Sequence, residues 1–243
     1  MKNAAKAAIG ATAVLILAVG GEVLWLHHER NAPVAVKAPE REVTPDDDLV
    51  FLKQKRPDSM KDVKELVGST LWVSAGGQME FYPYVGHAAQ YSKSAGTLLG
   101  AEPLVVKDAV EQVAPKGATF RIPGGDKQVL LVFTKPGDAK EYAVPVGYKQ
   151  DGQYTFLTDE IFFYDDPHVL YKHWGTEIWK AVDSHQVILG MNERQVELAL
   201  GQVSQSTSKD YGNRMVVFAN MGKPMAVTFV KNRVTAFRPD QGF

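Results

Sequence analysis

The stretch that decides the fold is residues 165–201, DDPHVLYKHWGTEIWKAVDSHQVILGMNERQVELALG. On either side of it, apolar and polar residues alternate as they do in strands, whereas inside it apolar residues recur at helical spacing. Its first residues, Asp165-Asp166-Pro167, supply an N-cap followed by proline at the first helical position. The change of period predicts a helical layer between two β regions, and therefore an α+β protein.

Two helices are predicted in this stretch. The first has an apolar stripe at steps of four residues, formed by Leu170, Trp174, Ile178 and Val182, and Gly175 interrupts it. The second begins with a reciprocal cap, in which Asn192 is the N-cap residue and Gln195 follows three positions later. Gly201 is the predicted residue that ends it.

Three short strands are predicted after the helices, at 214–218, 225–229 and 233–237. The tight turn Lys231-Asn232 joins the last two of them. Two helices packed on a three-stranded meander form an ααβββ two-layer domain, which we predict over residues 165–243.

A short pattern in this domain is shared with a known family. It consists of Gly190-Met191-Asn192, Gln195-Val196, Leu200-Gly201 and Asn232-Arg233-Val234. Through these residues the segment 176–238 resembles the SmpA/OmlA family, which includes the BamE-like subunit of the outer-membrane β-barrel assembly machinery. The resemblance implies the ααβββ fold, and it implies envelope or outer-membrane proteins as partners.

The preceding residues, 67–164, read as a β-rich domain. Short apolar runs are separated by glycine and proline turns, and Asp151-Gly152 is a strong hairpin signal. Closely spaced strands with no helical period between them predict a small antiparallel barrel or curled sheet, with an SH3-like barrel as the specific expectation.

The N-terminal residues 1–26 predict a signal-anchor or transmembrane segment. Lys2 and Lys6 precede an uncharged run over 7–21, and Trp25 follows where an interfacial aromatic anchor would lie. This pattern predicts a single-pass inner-membrane protein with a cytoplasmic N-terminus and a periplasmic bulk. Secretion after cleavage of a signal peptide is the alternative.

Residues 27–66 read as a charged linker that contains proline. Four prolines and charges of both signs leave few apolar side chains to bury. Near its end, Ser59 followed by Asp62 predicts the capping box of a short helix.

Composition excludes several classes of protein. The chain has no cysteine, which rules out thiol catalysis, disulfides and cysteine metal sites. Its net charge is −1, with both signs interspersed, so it lacks the basic footprint of a nucleic-acid-binding protein. No cofactor motif is present, and no catalytic residue is predicted.

Histidines and carboxylates concentrate between residues 159 and 185. His173 and Glu177 are four positions apart and would share one helix face, which makes them weak candidates for a divalent-metal site. Two ligands do not complete a site, and helix capping with surface ion pairs is the alternative use of the segment.

Aromatic residues form a second candidate surface for a partner or ligand, consisting of Phe81, Tyr82, Tyr84 and Tyr164. In a groove they would bind an extended peptide or stack on a sugar. Burial in the core or at a domain boundary is the alternative.

Together these features predict a membrane-anchored envelope protein that acts as a non-catalytic protein–protein interaction module. A module that binds cell-wall peptide or glycan is the first alternative. A divalent-metal-dependent hydrolase that uses residues 159–185 is the second.

Overall fold

The computed structural model describes residues 49–75, 77–116 and 121–240. Within these ranges the chain forms two antiparallel sheets, of nine and four strands, and five short α-helices. The strands of the first sheet are β1 (Thr70–Val73), β2 (Glu80–Val85), β3 (Ala88–Ala89), β4 (Gly96–Thr97), β5 (Pro103–Gln112), β6 (Lys127–Thr134), β7 (Tyr142–Gln150), β8 (Gln153–Phe156) and β9 (Phe162–Phe163).

The helices lie before, between and after these strands. They are α1 (Met60–Lys64), α2 (Thr158–Ile161), α3 (Pro167–Leu170), α4 (Thr176–Asp183) and α5 (Glu193–Leu200), with 3₁₀ turns at Lys172–Trp174 and Asn220–Gly222. The second sheet contains β10 (Val203–Ser206), β11 (Met215–Phe218), β12 (Met225–Val230) and β13 (Arg233–Pro239).

The first sheet has the strand order β3-β2-β7-β6-β5-β1-β9, with β4 paired to β2 and β8 paired to β7. Its central strand β6 is buried on both faces. Leu131 and Phe133 enter the main core, whereas Leu130 belongs to a smaller cluster on the other face with Tyr82 and Ala143. The predicted small SH3-like barrel is wrong, because the strands form a large nine-stranded sheet.

Two local turns confirm their sequence signals. The β7–β8 hairpin closes through Asp151 and Gly152, whose φ angles are 51° and 81°. Both residues have positive φ, as a type I′ turn requires. The β12–β13 hairpin does the same through Lys231 and Asn232, with φ angles of 50° and 54°.

The second sheet, of order β10-β11-β12-β13, shares a core with helices α4 and α5. The buried residues that the sheet contributes include Val216, Phe218 and Phe229, and those of the helices include Trp179 and Val196. Ala75, Ala101 and Phe163 join the same core from the part of the chain that precedes α3. The domain boundary between residues 164 and 165 stays a prediction.

The predicted α+β fold class with an ααβββ domain is corrected by these observations. The described chain is mostly β, its longest helices have eight residues, and the C-terminal sheet has four strands instead of three. Strand β10 escaped the sequence pattern because its residues, Val-Ser-Gln-Ser, are all exposed at the edge of the sheet.

The single helix predicted to carry Leu170, Trp174, Ile178 and Val182 is also wrong. It is divided into α3, a 3₁₀ turn and α4. Gly175, with φ 81° and ψ 164°, lies between the last two in a conformation that is almost confined to glycine. The predicted caps are confirmed: Asp166 accepts a hydrogen bond from the His168 amide, and Asn192 and Gln195 form the capping box of α5.

The membrane helix predicted over residues 1–26 lies outside the described residues. In the part of the chain that the structure describes, no helix is long and apolar enough to cross a membrane. The predicted transmembrane or signal-anchor segment, the membrane as a partner and the single-pass inner-membrane localisation are therefore corrected, since no described helix supports them.

Residues 49–66 belong to the predicted linker, whose earlier part also lies outside the described residues. The short helix near its end is confirmed as α1, with a complete capping box between Ser59 and Asp62. Upstream of α1, residues 49–58 have no regular secondary structure.

Candidate functional site

The segment before α1 is bound to the body of the protein by carboxylates. We call residues 52–56 the strap. The backbone amides of Lys55 and Arg56 donate to the two carboxylate oxygens of Asp159, each at 3.0 Å. The ammonium group of Lys53 lies 2.7 Å from an oxygen of Asp165. Two carboxylates that are more than 100 residues away in the chain therefore hold the strap in place.

Asp159 lies in the first turn of the short helix α2 and receives a third hydrogen bond. The hydroxyl of Tyr164 donates to its Oδ1 at 2.6 Å. Burial alone would raise the pKa of Asp159, but the hydrogen bonds from Tyr164 and from the two strap amides outweigh it and hold that pKa below its usual range. The carboxylate is therefore ionised at neutral pH and committed to accepting hydrogen bonds.

Tyr164 is the matching donor. Burial, together with the hydrogen bond to the Asp159 carboxylate, raises the pKa of the Tyr164 hydroxyl. It therefore keeps its proton throughout the physiological range and orients Asp159 toward the strap.

The docked strap contains a strained residue. Arg56 has φ 46°, in the left-handed region, and Pro57 follows it. A non-glycine residue in this region carries a cost of order 1 kcal/mol or more, and a residue before proline normally prefers extended conformations. The contacts with Asp159 and Asp165 offset this cost, so the docked conformation depends on them.

A cavity of about 160 Å³ lies between the strap and the body. Leu52, Lys53 and Gln54 of the strap form one wall, and Ala75 and Arg194 are among the residues of the opposite side. A second, more open cavity of about 330 Å³ is lined by Ala75, Arg194, Glu197, Gly201, Gln202 and Val203. Ala75 and Arg194 line both cavities, and we call the two together the cleft.

Helix α5 supplies the charged residues of the second cavity. Nη1 of Arg194 lies 3.5 Å from Oε2 of Glu197, one turn further along the helix. Burial raises the pKa of Glu197 to about 7, with Arg194 opposing the shift and Glu193 adding to it. Glu197 is therefore the carboxyl group of the cleft that changes charge near neutral pH.

Three charged side chains of the cleft are placed to make binding interactions. Asp159 accepts two consecutive main-chain amides, Asp165 pairs with a lysine, and Arg194 presents a cation to both cavities. All three are binding interactions, and the strap already uses the first two.

Of the predicted aromatic surface, Tyr164 alone belongs to the cleft. Phe81 is buried in the main core of the first sheet, 5.2 Å from Tyr142 between ring centroids. Tyr82 is buried on the opposite face of the same strand, with Tyr84 half-buried beside its cluster. Since neighbours in a strand point to opposite faces, these residues do not share one exposed groove.

The weak metal candidates are not brought together on one helix face. His173 lies in the 3₁₀ turn before Gly175, and Glu177 lies in the first turn of α4 after it. Both are exposed. No group of three or more histidine and carboxylate side chains in the described ranges is arranged to hold a metal ion.

Other members of the acidic and histidine-rich segment have structural partners. The two ring nitrogens of His168 lie 2.9 Å from Asp166 and 3.0 Å from Asp183, and the ring packs 4.0 Å from that of Trp179. This arrangement links α3 to α4. The concentration of charge that the sequence showed is used here to join two short helices.

Sequence reasoning missed Arg194 and Glu197. Both lie in the predicted helix that begins at Asn192. Charged residues are common in the first turns of a helix, so nothing in the sequence indicated that these two have a further role. Asp159 was noted as one of several carboxylates, and no local signal paired it with residues 55 and 56.

Comparison with known proteins found no matching family model, no matching curated protein and no matching solved structure. The resemblance to the SmpA/OmlA family stays a prediction.

Proposed function

We propose that this protein is a non-catalytic protein-binding module and that its cleft binds basic segments of other proteins that lack regular secondary structure. The observation that carries the proposal is the capture of the strap by Asp159. One ionised carboxylate accepts both amides of a consecutive pair, Lys55 and Arg56, at 3.0 Å each. The chain thereby displays, with its own residues, how a segment without regular secondary structure is held.

This mode of binding combines main-chain and charge recognition. The Asp159 contacts use backbone amides, which every residue except proline supplies, so they depend on the backbone conformation of the bound segment more than on its side chains. Asp165 adds a preference for a lysine two positions before the first amide, as Lys53 shows. Hydrogen bonds to an ionised group contribute about 1.5–3 kcal/mol each, enough to make Asp159 the principal contact.

The strap is the resident occupant of this site. Because it is part of the same chain, its effective concentration at the cleft is of order millimolar or higher. A partner segment must therefore displace it or bind better than it does. The strain at Arg56 lowers the affinity of the strap and makes displacement easier.

The partners that the SmpA/OmlA resemblance implies are envelope or outer-membrane proteins, and we propose that class here. Co-purification of the full-length protein in mild detergent, followed by mass spectrometry, tests this part of the proposal. Recovery of stoichiometric envelope components that are lost with Asp159→Asn is the expected result.

The alternatives have less support in the described structure. A glycan-binding groove needs exposed neighbouring rings, but Phe81 and Tyr82 are buried on opposite faces of β2. A metal-dependent hydrolase needs at least a three-ligand cluster, and the described residues provide none.

The direct test uses a fluorescent peptide with the sequence of residues 49–57 and full-length protein. Lys55→Pro removes one of the two strap amides and opens the cleft. We expect saturable binding of the peptide to this variant, measured by fluorescence anisotropy, and binding to the unmodified protein at least about tenfold weaker because the strap competes.

The decisive comparison adds Asp159→Asn to the Lys55→Pro background. Loss of the ionised acceptor should weaken peptide binding by about tenfold or more. The matched control is Asp151→Asn, an exposed turn residue at φ 51° for which asparagine is equally suitable. Equal affinity of the Asp159→Asn and control proteins for the peptide would contradict the proposed site.

A further inference from the structure

Arg194 occupies a special position in the cleft. Its side chain, 29% exposed, lies at the place where the two cavities meet and lines both of them. In the described part of the chain, the carboxylate paired with it is that of Glu197, and this pair is long, at 3.5 Å between Nη1 and Oε2. A strong guanidinium–carboxylate hydrogen bond is about 2.7–2.9 Å long.

The same helix shows what a completed pair looks like. Glu193, the residue before Arg194, accepts two hydrogen bonds on Oε1 from the guanidinium of Arg214. Its Oε2 accepts a third from the amide of Gly212, at 2.9 Å. Glu193 is therefore fully engaged elsewhere and does not neutralise Arg194.

Glu197 is a poor permanent partner for Arg194. Its burial raises its pKa to about 7, so it carries only part of a negative charge at neutral pH. The Tyr171 hydroxyl is also hydrogen-bonded to Arg194 and helps to raise the pKa of Arg194, but it does not supply a carboxylate. A largely buried cation without a full countercharge is costly, and a bidentate carboxylate is the ligand that best fits a guanidinium.

We propose that Arg194 forms a subsite for a carboxylate, separate from the capture of main-chain amides at Asp159. The carboxylate enters the cleft and binds the guanidinium side by side, replacing Glu197 as its partner. The ligand class is a carboxylate anion, either a small carboxylic acid or an acidic side chain of a bound protein segment.

Binding at this subsite is linked to the protonation of Glu197. An entering anion repels ionised Glu197, so binding favours its protonated form, and the affinity rises as the pH falls through about 7. The charged groups that face Glu197 are Arg194 and Glu193 on α5 and Arg214 just before β11. Of these, the two arginines keep their charge over this range.

The first test is a nuclear magnetic resonance titration of the full-length protein with sodium acetate, following the Nε–Hε resonance of Arg194. Acetamide is the matched neutral probe. We expect a saturable shift with acetate, none with acetamide, and a dissociation constant about fivefold lower at pH 6 than at pH 8, which is the change produced when binding raises the pKa of Glu197 from about 7 by one unit.

Two variants separate this subsite from a purely structural role of Arg194. Glu197→Gln should bind acetate equally at pH 6 and pH 8, because the competing charge is gone. Arg194→Gln should lose acetate binding, with retained folding shown by an unchanged circular dichroism spectrum, whereas the exposed Arg238→Gln should keep it. Should Arg194→Gln fail to fold, Glu197→Gln alone decides through its loss of pH dependence.

The source of the carboxylate is distinguished with peptides that carry Glu or Gln at the position equivalent to Leu52, which lines the same cavity as Arg194. In the Lys55→Pro background, a gain of about tenfold for Glu over Gln identifies a protein side chain. Acetate binding without this gain identifies a small carboxylic acid. If acetate does not bind and the peptides show no preference for Glu, the proposed subsite is overturned, even if both peptides bind and the proposed function stands.

Discussion

The guanidinium of Arg214 donates two hydrogen bonds to a single carboxylate oxygen of Glu193, and both side chains are buried. The pair ties the start of α5 to the beginning of β11, and the amide of Glu193 is held in addition by Asn232 of the β12–β13 turn at 3.1 Å. Glu193→Gln removes the carboxylate that pairs with the buried guanidinium of Arg214. We expect a loss of about 3–5 kcal/mol in the free energy of unfolding, measured by urea denaturation.

The control for this pair is the exposed ion pair Lys127–Glu111, at 3.1 Å. Lys127→Met should cost less than about 1 kcal/mol. The double change Glu193→Met with Arg214→Met should cost less than Glu193→Gln alone, since it removes both charges together. A loss for Glu193→Gln no greater than that of the control would show that the buried pair is not a principal contact.

Glu197 makes stability depend on pH. Its folded-state pKa, about 7, lies above the ordinary value of 4.5, so the folded protein holds this proton more tightly than the unfolded chain does. The associated stability is fully present below about pH 4.5 and is lost as the pH rises through 7. Glu197→Gln should therefore be more stable than the unmodified protein by about 2 kcal/mol at pH 8, with the difference vanishing near pH 4.

Thermal unfolding of both proteins across pH 4–8 measures this difference, and Glu177→Gln, an exposed glutamate on α4, is the matched control. A difference in stability between Glu197→Gln and the unmodified protein that stays constant from pH 4 to pH 8 would contradict the burial of this carboxyl group.

Release of the strap should expose it to protease. Asp159→Asn replaces an ionised acceptor of two amides and one hydroxyl with a neutral one, which weakens the hold on Lys55 and Arg56. We expect trypsin to cut after Lys53 or Lys55 about tenfold faster in this variant than in the unmodified protein. Cleavage sites are identified by mass spectrometry, and Asp151→Asn, which lies in a hairpin turn, should leave the rate unchanged.

Gly175 gives a test whose sign depends on the structure. In a continuous helix, Gly175→Ala would stabilise the protein by up to about 1 kcal/mol. At the observed φ 81° and ψ 164°, alanine is strained, and we expect a loss of about 1–3 kcal/mol. Nothing lies within 4 Å of a Cβ built at this position, so backbone strain alone decides the result. Chemical denaturation that shows stabilisation would contradict the break between the 3₁₀ turn and α4.

Local signals in the sequence predicted local structure well. The caps at Ser59, Asp166 and Asn192 and the turns at Asp151-Gly152 and Lys231-Asn232 depend on residues at most three positions apart, and all are observed. Each is specified by backbone geometry and by hydrogen bonds between near neighbours, which hardly depend on the rest of the fold.

The architecture and the cleft depend on contacts that no local pattern encodes. The strand order brings β1 between β5 and β9, although β9 follows β1 by about 90 residues. The apolar stripe from Leu170 to Val182 fits a continuous helix equally well, so periodicity could not show that the interruption at Gly175 divides the stretch into separate elements. Asp159 binds the strap, and Arg194 lines the same cavity as Ala75, only because the chain folds back on itself.

The attachment of the strap also has a mechanical meaning. Tension on the chain from its N-terminal side reaches the carboxylates of Asp165 and Asp159 before it reaches any strand of the nine-stranded sheet. A few hydrogen bonds and one ion pair would yield at forces that leave the sheet intact. The strap would then detach first and open the cleft under tension. Single-molecule pulling would show this detachment as a small extension before the main unfolding event. The small extension should be absent in Asp159→Asn.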